Sequence, residues 1–356
     1  MKILKITKSI KIFKVNNKTV SFELKEGDLY LQNELQISNF GIFCQQINIP
    51  QKSFSTYHEV HELLNDFSNR NKTVFIHRTG GAGDILALSS VCKWLHEHNF
   101  KVVFITLKRY KPLFDWFQTP VTFLNYEDRL PFKAKDFDFG ILQYEGLIER
   151  SKTNWFELFF KPVSNVCMLK YGRPQLKVKR SIRFKLKSNS ILLCLKATSK
   201  IRSIDFEPVY FALKNLISKD TIIYVHEENL SQKDKDFLLG MFDKRIKILP
   251  KSNLNKFLFD CYDAGLVIST DTGALHFREG INKPCLGLYN SFYSKCRTKY
   301  YKIIKTLDIK SQCQDQPCYI HTQTPNEDCK HLNYCLDHKW NKTIHIQLTE
   351  FFTKNL

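Results

Sequence analysis

Between Thr73 and Tyr289 short apolar runs alternate with longer amphipathic segments, and this alternation restricts the chain to α/β folds with parallel strands. The first runs are 73–77 (TVFIH), 102–106 (VVFIT), 121–124 (VTFL) and 137–142 (FDFGIL). They read as strands covered on both faces, which show no polar alternation. Between the first two, Ile85, Leu88, Val91, Trp94 and Leu95 recur at helical spacing and predict a helix over 85–98. A second series repeats the pattern. Its predicted strands are 191–195, 221–225, 246–249, 265–269 and 285–289, with helices at 206–218, 232–242, 253–263 and 272–281. Two doubly wound, Rossmann-like units facing a cleft are therefore expected, because open α/β sheets bind ligands beyond the carboxyl ends of their strands.

Other segments flank these units. Residues 1–55 read as a small β-rich unit: 11–15 and 19–24 alternate in hydropathy around Asn16-Asn17-Lys18, a hairpin turn, and 29–31 and 35–37 are further strand candidates. A helix over 57–67 leads into the first α/β unit, 56–187. That unit ends in the connector KVKRSIRFKLK, 177–187, with six basic and no acidic residues. The connector reads as a solvated link or as a strip facing phosphate or membrane. The second α/β unit spans 188–310, a cysteine-rich segment 311–340, and a terminal helix 341–356.

Composition narrows the function classes. Hydrophobic residues make up 43% of the 356, which excludes general disorder. No apolar run reaches the ~18 residues that a membrane-spanning helix needs. Met1 to Lys14 interleaves Lys with apolar residues and has no small-residue cleavage site, so it does not read as a signal peptide, and the cytoplasm is the expected location. The net charge of +19 points to an anionic partner: nucleotide phosphates, an anionic membrane surface or nucleic acid. A Lys-, Asn-, Ile- and Phe-rich composition also accounts for it.

Three segments carry chemistry. The first is Thr79-Gly-Gly-Ala-Gly-Asp84, between a predicted strand and helix. Gly81 and Gly83 allow tight turns and close approach of a ligand. The segment lacks the Lys-Ser/Thr ending of a phosphate-binding P-loop. Leu86 occupies the third glycine position of a dinucleotide fingerprint, and Lys108 and Arg109 follow the second strand where a NAD site has an acidic residue. A nicotinamide enzyme is thus disfavoured. Asp84 is placed either as a helix cap or as a general base for an acceptor hydroxyl. The second segment is Ser269-Thr-Asp-Thr-Gly-Ala-Leu-His276. Thr270, Thr272 and the amides around Gly273 can donate to a diphosphate at a helix N-terminus. His276 lies one turn beyond Thr272, as a phosphate donor or a packing histidine, and Asp271 is a candidate for ordering the loop. The third is Lys196-Ala-Thr-Ser-Lys-Ile-Arg202, whose Thr198, Ser199, Lys200 and Arg202 would face a leaving diphosphate or simply form a polar loop.

Together these segments resemble the heptosyltransferases of glycosyltransferase family 9, over roughly residues 72–310. The family's Gly-Asp pair is matched by Gly83 and Asp84, and its Asp-Thr-Gly-x-x-His signature by Asp271, Thr272, Gly273 and His276, with Pro284 before the next strand. Its phosphate loop, a hydroxyl pair followed by Lys, is matched by Thr198 and Ser199; the cation here is Arg202 or Lys200. The resemblance implies a GT-B fold, Asp84 as catalytic base, and a nucleotide-sugar donor, ADP-heptose first. It further implies inverting transfer without a catalytic metal to a surface glycan, lipopolysaccharide or protein acceptor. It also implies a terminal helix that crosses back to the first unit.

Cys313, Cys318, Cys329 and Cys335 form a C-x4-C-x10-C-x5-C pattern. Four thiolates in one short polar segment suit a structural zinc or iron site, with His321, His331 and His338 as substitutes. Reduced thiols or disulfides are the alternative. The autotransporter-glycosylating branch of the same family is similar in its β-rich N-terminal unit and late four-cysteine iron site. Three other readings compete. One keeps the fold and changes the nucleotide sugar. Another is a basic nucleic-acid-binding protein with a metal finger, against which the scatter of the basic residues argues. The third is an inactive sugar-binding scaffold, against which the presence of both Asp84 and the 270–276 loop argues.

Overall fold

The computed structural model describes residues 2–5, 10–15, 18–24, 29–32, 73–125, 139–143, 153–160, 163, 166–178, 189–198, 202–241, 243–290, 293–309 and 340–356. The expected helix at 57–67, the strand at 35–37, residues 179–187 of the connector, Ser199, Lys200 and the four late cysteines lie outside the described residues.

Near the N-terminus, β1 (Lys2–Lys5) pairs antiparallel with β4 (Leu29–Gln32), and β2 (Ile10–Val15) with β3 (Lys18–Leu24). Val15 faces Lys18 across the second pair, so Lys18 belongs to the strand and not to the turn.

The first α/β unit holds a parallel sheet of β5 (Thr73–His77), β6 (Lys101–Thr106), β7 (Thr122–Asn125) and β8 (Phe139–Gln143), in the order β7-β6-β5-β8. The chain leaves β5 toward one side for β6 and β7, then returns to the other for β8. The order therefore reverses beside β5, and the loop after β5 emerges at that switch point.

The second sheet is also parallel: β9 (Ser190–Cys194), β10 (Ile222–His226), β11 (Ile246–Leu249), β12 (Leu266–Ser269), β13 (Cys285–Tyr289) and β14 (Lys305–Asp308). Its order is β11-β10-β9-β12-β13-β14, with the reversal between β9 and β12. The loops after β9 and β12, which carry the second and third motifs, thus emerge side by side. Strand β14 and a short helix, Trp155–Phe160, are elements that the hydropathy pattern did not predict. The helix hides because WFELFF, two-thirds aromatic, is buried at Trp155, Phe156, Phe159 and Phe160 and shows no polar stripe.

The helix after β5 runs from Ala82 to Glu97, and Ile85, Leu88, Val91, Trp94 and Leu95 are all buried. Each such side chain contributes about 1.5–3 kcal/mol of transfer free energy. It ends before Asn99, which adopts a left-handed φ of 64°, a conformation Asn tolerates. The Gly273–Gly280 helix ends in the same way before Asn282, φ 57°.

One apolar cluster runs through both units. Fully buried Trp116 meets the ring of Phe277 edge-on at 4.9 Å and packs against Phe259 and Tyr262. The terminal helix, Trp340–Asn355, departs from expectation. Its principal contacts are with the Phe206–Leu213 helix of the second unit, where Leu348 and Phe352 are fully buried beside Val209 and Leu213. Its apolar stripe finds a matching surface there, so it has no need to cross back. No helix among the described residues is long and apolar enough to cross a membrane.

Candidate active site

The loop after β5 is organised by one ion pair. Arg78, the first residue past the strand, continues the ladder by donating its amide to the Ile105 carbonyl at 3.2 Å. Its side chain then folds under the loop, only 2% exposed, and Nη2 donates to Asp84 Oδ1 at 3.1 Å. Gly80 makes room for this: a Cβ there would lie 2.5 Å from Arg78 Nε. Asp84 Oδ2 accepts the Gly81 amide at 2.9 Å, closing the N-terminal turn of the helix. Both readings of Asp84 thus have a basis. It caps the helix, yet its side chain stays 19% exposed, and each oxygen retains a lone pair beyond the bond it makes.

The loop after β12 is organised by a buried carboxylate. Asp271 lies 2.9 Å from Arg202 Nη1, 3.4 Å from His276 Nε2 and 3.9 Å from Arg297 Nε, with its side chain 5% exposed. Burial alone would raise its carboxyl. The His276 imidazole 3.4 Å away and the charges of Arg297 and Arg202 outweigh burial and hold it far below the usual carboxylate range. His276 is fixed from its other side, with Nδ1 2.8 Å from the Tyr301 hydroxyl. Burial pushes that hydroxyl well up, so Tyr301 stays protonated. The ring of Trp155 lies 4.5 Å from the His276 ring, and the Arg297 guanidinium lies 4.9 Å from Trp155. Two arginines thus face one buried carboxylate.

These two loops meet. A Cβ on Gly83 would stand 2.6 Å from His276 Cδ2, and one on Gly273 would stand 3.1 Å from the Ala82 Cβ. Both glycines are needed for close approach, not for backbone conformation. The N-termini of the Ala82–Glu97 and Gly273–Gly280 helices are thereby brought together, with their unpaired amides and partial positive charge in one region.

The remaining predicted residues divide. Thr272 caps its helix by accepting the Ala274 amide at 3.3 Å, with Oγ1 2.7 Å from Ser269 Oγ. Thr270 is fully buried and donates its hydroxyl to the Leu195 carbonyl at 3.4 Å, so it faces the sheet and not a ligand. Thr198 is exposed in the loop after β9. Lys196 pairs with Asp205 at 3.1 Å and Asp234 at 3.4 Å. Arg78, Arg297, Trp155 and Tyr301, which touch Asp84, Asp271 or His276, are neighbours of the predicted residues that sequence reasoning missed. Arg78 had a signal, being a charged residue directly at a buried strand's end. The others are distant in sequence and had none. Cys313, Cys318, Cys329 and Cys335 lie outside the described residues, and among the described residues no group of three or more His, Cys, Asp and Glu forms a metal-binding arrangement.

No protein-family description and no curated protein matches the sequence. Solved structures do match the fold. The iron-containing dodecameric glycosyltransferase TibC of enterotoxigenic E. coli H10407 superposes with a TM-score of 0.51 at 12% identity, over 80% of this chain and 75% of TibC. TibC in complex with ADP-D-beta-D-heptose gives 0.50 at 10% identity, over 80% and 77%. The E. coli ADP-heptose lipopolysaccharide heptosyltransferase II gives 0.49 at 13% identity, over 80% and 99%. At this identity the likeness to TibC is one of fold, an α/β fold with parallel sheets.

Proposed function

We propose that this chain is a sugar-nucleotide glycosyltransferase in which Asp84 is the general base and the Thr272–His276 turn receives the donor diphosphate. One observation carries the reading: the carboxylate-bearing helix start and the Asp271–His276 helix start are in contact through Gly83 and Gly273. Such a place can hold an acceptor hydroxyl against a carboxylate and a departing diphosphate against a positive field. Asp84 takes the hydroxyl proton, and the oxygen attacks the anomeric carbon from the face opposite the nucleotide, so configuration inverts. Negative charge grows on the diphosphate as the glycosidic bond breaks. Fixed donors at the two helix starts, with the Arg202 and Arg297 guanidiniums beside them, stabilise that charge without reorganising. ADP-heptose is the first donor to test, because the motifs resemble heptosyltransferases and the fold matches TibC, solved with ADP-heptose.

Asp84→Asn is the informative variant, since Asp84→Ala would strand the buried Arg78 guanidinium and confound activity with stability. Loss of a general base is expected to slow transfer by about 10²–10⁴-fold. Donor binding, followed as a rise in melting temperature across a panel of nucleotide sugars with DNA as control, is expected to be kept. Wild-type transfer by Asp84→Asn removes the base. A shift with DNA and none with any nucleotide sugar removes the whole reading.

A further inference from the structure

We infer that Arg78 is a positioning residue for the transfer reaction, holding the Asp84 carboxylate in the one orientation that leaves a lone pair for the acceptor hydroxyl. This rests on the reading of Asp84 as the base. A base on a helix's first turn has two staggered ways to waste itself: rotating outward into solvent, or turning both oxygens onto the turn's own amides. Here each oxygen is pinned by a different partner, Oδ1 by Arg78 Nη2 at 3.1 Å and Oδ2 by the Gly81 amide at 2.9 Å. Two such bonds fix both the rotamer and the plane of the carboxylate.

The surroundings show that the arginine is built in. Its side chain is 2% exposed, although a surface strand end would let it extend into water. The loop residue above it is Gly80, the position where any Cβ would strike the guanidinium at 2.5–2.8 Å. Its backbone is anchored to Ile105, so the guanidinium starts from a rigid strand and not from the loop it organises. Among the described residues, His276 also faces this turn across Gly83, and it is committed to Asp271 and Tyr301. Positioning therefore falls to Arg78 among the described residues. Lysine would supply the charge from a flexible stem without the guanidinium's fixed donor direction, so it replaces Arg78 only in part.

The test compares kcat and KM for wild type, Arg78→Gln and Arg78→Lys, alongside Asp84→Asn, with melting temperatures for all. Loosening the base is expected to lower kcat by about 10- to 100-fold in Arg78→Gln, since small misplacements at the reacting centre are that costly. Donor KM is expected to stay within about twofold, because the diphosphate loop is untouched. Arg78→Lys is expected to recover part of the loss, and a crystal structure of Arg78→Gln to show Asp84 Oδ2 off the Gly81 amide. Should Arg78→Gln not fold, Arg78→Lys alone decides, with a lowered kcat at unchanged donor KM expected. A folded Arg78 variant with wild-type kcat, a loss confined to KM, or Lys no better than Gln would overturn the inference. If Asp84→Asn is slow while Arg78→Gln is unimpaired, only the positioning role falls; if Asp84→Asn transfers normally, the base itself was misassigned.

Discussion

Burial and charge oppose each other at Asp271. An isolated carboxylate so deeply covered would give up its charge, yet Arg202, Arg297 and His276 keep it ionised. The consequence for stability has a definite sign. With its folded value depressed, the group contributes fully above the ordinary carboxylate value of about 4, and that contribution drains as pH falls, because the unfolded chain takes up the proton first. Asp271→Asn is expected to lose about 3–5 kcal/mol at pH 7, since it leaves two arginines without their buried counter-charge. The gap from wild type should narrow as denaturant melts are repeated from pH 6 down to about 3. A gap that stays constant over that range would mean the carboxylate's charge is not what stabilises the loop. At this scale much was legible. Asp84, Asp271, Thr272, Gly273 and His276 lie in short segments, and it is the resemblance of those segments to family motifs, not spacing alone, that singles them out. Arg297 is not singled out, because its pairing with Asp271 is made by the fold and by nothing near it in the chain.

Elements are shaped by how their ends are satisfied. Thr272, Ser231 and Asn253 cap three helices of the second unit with side-chain acceptors, as their residue types predict. The C-terminal end of the Leu254–Asp263 helix has a different solution. Fully buried Arg278 donates to the carbonyls of Cys261 at 2.8 Å, Ala264 at 2.9 Å, Gly265 at 3.1 Å and Pro284 at 2.6 Å. A cation at a helix C-terminus is favourable, and here it also ties that end to the start of β13. Burial lowers its pKa, but a guanidinium stays charged in a protein, and the four carbonyls take up its donors. Arg278→Met would strand those carbonyls, each costing about 1–3 kcal/mol, so a loss above about 3 kcal/mol is expected in chemical denaturation. A loss under about 1 kcal/mol would show that water replaces the arginine. No periodicity rule could have found this residue, which reads in sequence as an exposed helix position. The strands β5 and β13, by contrast, match their predicted bounds, because a continuous apolar run has only a buried strand's place to occupy, and β11 matches its bounds as an edge strand with Ile248 exposed.

For the molecule as a whole, the question is what joins the two sheets at the site. Apolar packing around Trp116 supplies area, and the two glycine contacts supply closeness. Gly83→Ala would drive a methyl group to 2.6 Å from His276, forcing the helices apart or the imidazole off Tyr301. Overpacking of this kind costs about 1–3 kcal/mol, and transfer should fall with the melting temperature. Unchanged melting and unchanged transfer would mean that the two helix starts need not touch. The architecture that makes the contact possible was largely readable from the chain. Periodicity sets the order of strands and helices, and the turn-forming glycines and capping residues mark where loops carry polar groups; these are local preferences, expressed over a few residues regardless of what surrounds them. Which charge answers which was settled only on folding. Arg202 and Asp271 are 69 residues apart, and Glu157 meets Lys299 across 142. Such pairs depend on where sheets turn and how helices dock; the one made to buried Asp271 gains most of its energy because burial removes the water that would otherwise screen it, whereas the surface pair of Glu157 and Lys299 contributes little.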